Sequence, residues 1–133
     1  MPPITILENQ QITVLYHPDT KIIHHECHEN VHGPDFREGL MAGAEAMKKY
    51  GAKKWLSDDR KHTVFTPDDL AWTKDVWRPA VLKAGWKYWA IVEPERPLAR
   101  IRIEERAETM TKLGVTTKLF TDPDEAMKWL KAQ

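Results

Sequence analysis

The apolar positions of this chain change period along its length. Ile4 to Leu7 and Ile12 to Tyr16 are short apolar runs separated by the polar Glu8-Asn9-Gln10-Gln11, and both read as strands. His17-Pro18-Asp19-Thr20 has turn chemistry, because Pro fixes φ and Asp can bond the backbone ahead of it. A third run, Lys21 to His28, is therefore expected to pair back as a hairpin. After Gly33-Pro34 the spacing becomes helical: Phe36, Leu40, Gly43, Met47 and Tyr50 recur at steps of four and three. Pro34 suits the first turn, Asp35 and Glu38 sit where the helix dipole favours negative charge, and Gly51 supplies a left-handed cap.

Lys53 to Ser57 predicts the next strand. Thr66-Pro67-Asp68-Asp69 reads as N-cap, first-turn proline and first-turn acids of a second helix, which ends near Ala84 before Gly85. Trp86 to Val92 is almost wholly apolar, the pattern of a central strand buried on both faces. A third helix is expected from about Leu98 to Leu113, stopped by Gly114, then a strand from Val115 to Phe120 and a last helix opened by Asp122-Pro123-Asp124-Glu125. Such alternation requires parallel strands joined by right-handed crossovers, and steps in one direction place the helices together. The expected fold is α/β: an N-terminal antiparallel hairpin joined to a parallel sheet, with helices mainly on one face and the other left open.

Length and charge narrow the function classes. A chain of 133 residues reads as a single domain, 1–133, that buries roughly two-thirds of its unfolded surface and needs no metal or disulfide to do so. Its 20 Lys and Arg balance 20 Asp and Glu, which argues against a nucleic-acid partner and against an acidic tail. The lone Cys has no partner for an intrachain disulfide. Met1 to Gln10 lack the basic start and apolar run of a signal peptide, and no stretch reaches the length of a membrane span. The expectation is a cytoplasmic protein with no membrane span.

Aromatic residues are in surplus. Strand alternation over Trp86 to Val92 sets Trp86, Tyr88, Ala90 and Val92 against Lys87, Trp89 and Ile91, and only one set can face the helices. At 100° per residue, Leu70, Thr73, Val76, Trp77, Ala80, Val81 and Ala84 form the core arc of helix two, with Trp72 opposite, beside Asp75, Pro79 and Lys83. Pro79 cannot donate to the Asp75 carbonyl and predicts a kink. An exposed Trp is a favoured interface residue, so Trp72, Pro79 and Tyr88 are candidates for a homodimer contact or a protein partner. Cover by another segment of the same chain is the competing reading.

The densest polar stretch is His24, His25, Glu26, Cys27, His28, Glu29 and His32. On a strand, His24, Glu26 and His28 share one face while His25 and Cys27 share the other. A zinc ion could take His24 and His28 with a third ligand from elsewhere, but paired-cysteine and helical His-x-x-x-His spacings are missing. Half-buried sheet histidines are the plainer reading; no metal and no cofactor are assigned, and Cys27 reads as a buried thiol. Ser57-Asp58-Asp59-Arg60-Lys61-His62 follows a parallel strand, where ligands of open α/β sheets bind. Asp58, Asp59 and Arg60, with Trp55 and Trp86, are candidate ligand-binding residues, and Glu93-Pro94-Glu95-Arg96 should emerge along the same edge. A structural Asp–Arg ion pair competes with this. With neither a Gly-rich phosphate loop nor a nucleophile elbow, no catalytic residue is assigned. Thr66 is an N-cap by position; phosphorylation there is the alternative, favoured by the dipole and opposed by Asp68 and Asp69.

Trp55-Leu56-Ser57-Asp58-Asp59-Arg60, Thr66-Pro67-Asp68-Asp69 with Trp72, and Ala84-Gly85-Trp86-Lys87-Tyr88-Trp89-Ala90 together resemble an uncharacterised branch of the SpoIIAA-like, STAS-type family, from about Thr20 to the C-terminus. The resemblance implies a mixed sheet with helices packed on one side. It extends to anti-sigma-factor antagonists and, by fold, to CRAL-TRIO lipid-binding domains. In the antagonists a Ser in an Asp-Ser-Ser-Gly-like turn is phosphorylated, whereas the matching stretch here is Val64-Phe65-Thr66-Pro67-Asp68-Asp69-Leu70, with Thr66 its one hydroxyl. The leading expectation is a non-enzymatic regulatory or protein-interaction domain acting as a homodimer. The alternatives are a small-ligand or lipid-binding module, with an apolar cavity of roughly a few hundred Å³ lined by Trp55, Trp77, Trp86 or Trp89, and an enzyme using Asp58, Arg60 and a histidine.

Overall fold

The computed structural model describes residues 2–28, 31–63 and 65–133; Met1, Glu29 and Val64, named above, lie outside these. Strands β1 (Ile4–Glu8), β2 (Ile12–His17) and β3 (Ile22–Cys27) form an antiparallel meander. From β3 the sheet continues in parallel through β4 (Lys54–Asp58), β5 (Tyr88–Val92) and β6 (Thr116–Phe120), so the six strands lie in chain order. Helix α1 (Gly33–Tyr50) links β3 to β4, and α4 (Pro97–Lys112) links β5 to β6. Between β4 and β5, α2 (Pro67–Trp72), a π turn (Thr73–Trp77) and α3 (Arg78–Lys83) run on as one body, and α5 (Pro123–Lys131) follows β6. No helix among the described residues is long and apolar enough to cross a membrane.

The local signals act as their chemistry requires. Gly51 caps α1 at φ 66°, the Thr66 side chain accepts the Asp69 N–H at 3.2 Å, and Asp122 accepts that of Asp124 at 3.0 Å. Lys21, expected in β3, instead closes the turn before it at φ 55°, its N–H bonded to the His17 carbonyl at 2.8 Å.

Alternation divides the sheet between two cores. Ile12, Val14, Ile23, Trp55, Trp89 and Ile91 face α1, the α2–α3 body and α4. Ile22, Leu56, Ala90 and Val92 face Ala126 and Leu130 of α5. The expectation of a bare second face is therefore corrected over β4 and β5, where α5 covers it and half-buries Tyr88. Over β2 and β3 the same face lies outside the α5 core and is mostly polar, with Thr13, Leu15, His17, His24 and Glu26. Trp86 precedes β5, so alternation does not govern it; it packs in the first core against Trp55, Trp77 and Trp89.

Pro79 acts on helix two as a widening. Lacking an N–H for the Asp75 carbonyl, the chain takes a π turn, and the Arg78 N–H reaches back to the Thr73 carbonyl. The extra residue rotates the arc projected at constant pitch. Leu70 and Val76, expected in the core, are 47% and 46% exposed, while Thr73, Trp77 and Val81 are buried. Trp72 is corrected from exposed to half-buried: it packs on the first core with the Arg37 guanidinium 5.6 Å from its ring. Pro79 itself is exposed.

Gly43 gives the packing a test. A Cβ there would collide with the Trp55 ring, which is fully buried and has nowhere to move. Gly→Ala inside a helix ordinarily gains about 1 kcal/mol. Gly43→Ala is instead expected to lose ~1–2 kcal/mol in urea unfolding, since overpacking at about 1–3 kcal/mol outweighs propensity. A stabilised variant would show that α1 does not sit so close to β4.

Candidate functional site

Strand parity brings His25 and Cys27 of β3 and Asp59, just beyond β4, together at the carboxyl edge of the helix-covered face. All three are buried. The Trp55 indole N–H donates to His25 Nδ1 at 2.9 Å. A neutral imidazole with its lone pair so engaged carries its proton on Nε2, which donates to Asp59 Oδ1 at 2.7 Å. Cys27 Sγ donates to the same oxygen at 3.5 Å. Beside them the Trp89 indole N–H donates to Ser57 Oγ at 2.8 Å. Burial works to raise the Asp59 pKa, but His25, helped by His62 and Arg106, outweighs it and holds the carboxyl below its ordinary range. Burial, then the Asp59 charge, pushes the Cys27 thiol well up, so it is no nucleophile at neutral pH.

The ligand atoms of His25, Cys27 and Asp59 lie within 4.8 Å of one another, compact enough for a metal ion. Their hydrogen-bond chemistry opposes one. A metal on Nε2 needs the lone pair there and a proton on Nδ1, normally donated outward to an acceptor, whereas Nδ1 here faces a donor, the Trp55 N–H. The cluster is a hydrogen-bond chain ending on a carboxylate. The histidines of the other face have separate partners as well: His28 Nε2 meets Thr13 Oγ1 at 2.8 Å, and His24 Nδ1 meets His17 Nε2 at 3.1 Å.

Two further groups close the cluster. His62 is buried, its Nδ1 has no hydrogen-bond partner among the described residues, and its ring packs 4.6 Å from that of Phe65 and 6.1 Å from that of Phe36. Burial pulls its pKa down to about 4; Asp59 opposes this, while Arg106 and His25 add to it. Arg106, from α4, lays its guanidinium 4.2 Å from the Phe65 ring centroid. Among the described residues that guanidinium makes no hydrogen bond and no ion pair. Burial lowers its pKa to about 10 against the Asp59 charge.

Space lies on both sides of this Arg–Phe stack. Inside is a cavity of about 20 Å³, bordered by His25, Cys27, Asp59 and His62, with room for one water-sized molecule. Outside is a groove of about 370 Å³ lined by Phe65, Leu70, Arg102, Glu105, Arg106 and Thr109. Phe65 and Arg106 border both spaces, so their stack is the wall between chamber and groove.

The residues expected at one site fall in different places. Asp58 turns to the α5 side, where Arg60 holds both its oxygens, Nε to Oδ1 at 2.9 Å and a terminal nitrogen to Oδ2 at 2.8 Å. That is the structural ion pair, with each Asp58 oxygen accepting from the Arg60 fork. The Arg60 loop does meet the one after β5, through the Glu95 N–H on the Arg60 carbonyl at 3.0 Å. Asp59, one residue on, belongs to the chamber. Trp55 and Trp86 are buried in the core; Trp77 and Trp89 border the chamber, which is small. Thr66 is exposed and acts as the N-cap. Arg106 was missed, although Ala99, Ile103, Ala107 and Met110 mark the buried stripe of α4 and Arg106 falls within that arc. A charge on a core stripe was the available signal.

Compared with protein-family models, curated proteins and solved structures, the chain matches none.

Proposed function

We propose that this domain is a non-enzymatic binding module for a small molecule that carries an anionic group on an apolar body. The apolar part lies on Phe65 and Leu70 in the groove, and the anion meets Arg106. The observation that carries the reading is Arg106: a half-buried guanidinium with no hydrogen bond among the described residues, set between a groove and the small chamber that His25, Asp59 and His62 border. Planar guanidinium forks favour carboxylate and phosphate, and their strength grows as water is excluded. The homodimer reading has lost its main support, since Trp72 and Tyr88 are packed within the chain. A SpoIIAA-like fold remains part of the proposal, supported by strands in chain order and by three helical bodies on one face.

Thermal unfolding with sodium benzoate as the probe tests it. At 100 times its dissociation constant a ligand adds about 2.7 kcal/mol, roughly a 10 °C rise in midpoint for a domain of this size. Leu70→Asp puts a negative charge on the exposed groove wall without touching the core and is expected to abolish the rise; Arg106→Lys, which keeps the charge but not the fork, should weaken it. No saturable rise with the wild type, or one equal in Leu70→Asp, overturns the assignment.

A further inference from the structure

A second guanidinium stands beside Arg106. Arg78 and Arg106 border a gap of about 10 Å³ between helix two and α4, together with Thr73, Trp77, Trp89 and Met110. The charge of Arg78 is close enough to act on Arg106 and to oppose its protonation. Among the described residues neither guanidinium has a hydrogen bond or a carboxylate within ion-pair distance. The acid acting on Arg106 from behind, Asp59, is already engaged by His25. Two like charges in a half-buried wall repel unless an anion lies between them. Their placement follows from Pro79: it forces the π turn that Arg78 closes, and without the extra residue Arg78 would sit about 100° further round the helix.

We infer that Arg78 and Arg106 form a paired site for a dianion, and that the ligand of the groove is a phosphate monoester on an apolar or aromatic body. This rests on the small-molecule reading above. A monoester carries close to two negative charges at neutral pH and three acceptor oxygens, enough for two forks at once, whereas a carboxylate satisfies one. The ester substituent then extends over Phe65 and Leu70.

Calorimetry with phenyl phosphate, its methyl diester, benzoate and inorganic phosphate decides it. The wild type is expected to bind phenyl phosphate at least about tenfold tighter than the singly charged diester or benzoate, and tighter than inorganic phosphate. In Arg78→Gln, checked for folding by circular dichroism, the preference for monoester over benzoate should shrink to within about threefold. The wild-type comparison of monoester with diester stands even if that variant does not fold. If benzoate binds as well as phenyl phosphate, or Arg78→Gln keeps the preference, the dianion site is overturned while the binding module survives. Inorganic phosphate binding as tightly as the ester overturns the ester. If no probe binds, both readings fall.

Discussion

Between pH 6.5 and pH 4 the domain is expected to lose several kcal/mol of stability, well before the Asp59 carboxylate is titrated. Two histidines cause it. His62 is faced by Asp59, Arg106 and His25 and by the rings of Phe36 and Phe65. His24 is faced by His17, His25 and Asp58. Burial brings both to about 4 in the folded protein, against 6.5 for an unperturbed imidazole. In that window the unfolded chain binds the protons and the folded chain does not, so stability rises with pH. It is fully present above about 6.5, declines through the interval and levels off below about 4. At about 1.4 kcal/mol per unit, each histidine contributes ~3 kcal/mol over the window. His17, lowered by burial and by Lys131, adds in the same direction. Asp59 acts later: its depressed pKa adds stability above the unfolded carboxyl value, and that share fades only as pH falls further. Urea unfolding at pH 7.5, 6.5, 5 and 4 should trace this slope, and His62→Gln should remove about half of it. A flat profile across the window would mean that neither ring is held neutral.

The fold was legible because periodicity and capping agreed along most of the chain. Period two in β2, period 3.6 in α1, Gly51, Thr66 and Asp122 all pointed to elements that form. What escaped was anything set by a change of phase or by packing choice. Pro79 was recognised as an irregularity, but sequence alone does not tell a kink from an inserted π residue, and the choice moved Leu70 and Val76 out of the core. Strand alternation begins at Tyr88, two residues after Trp86, and so does not set the face of that ring. Helix α5 follows the edge strand, with no further strand to cross to, so handedness did not bind it and it took the other face. The site was half legible. Period two alone puts His25 and Cys27 on one face, and the position of Asp59 after a parallel strand marks it as a candidate. Arg106 is forty-seven residues further on and joins them only through tertiary packing.

The second large effect is expected at Asp59, a buried carboxylate. Asp59→Ala should cost about 3–5 kcal/mol, because it leaves the Arg106 charge uncompensated in a half-buried wall and the His25 N–H without an acceptor. Asp59→Asn keeps shape and one acceptor oxygen and should cost less, about 1–3 kcal/mol. The two contributions separate in a double-mutant cycle. If the charge of Arg106 is what Asp59 chiefly answers, Arg106→Met combined with Asp59→Asn will be less destabilised than the sum of the single changes, by ~1 kcal/mol or more. If the His25 bond dominates, the single changes will add, and His25→Ala will couple to Asp59→Asn instead. An Asp59→Ala variant as stable as the wild type would sink both accounts, since a chain running from Trp55 through His25 cannot lose its terminal acceptor without leaving a buried donor unmet.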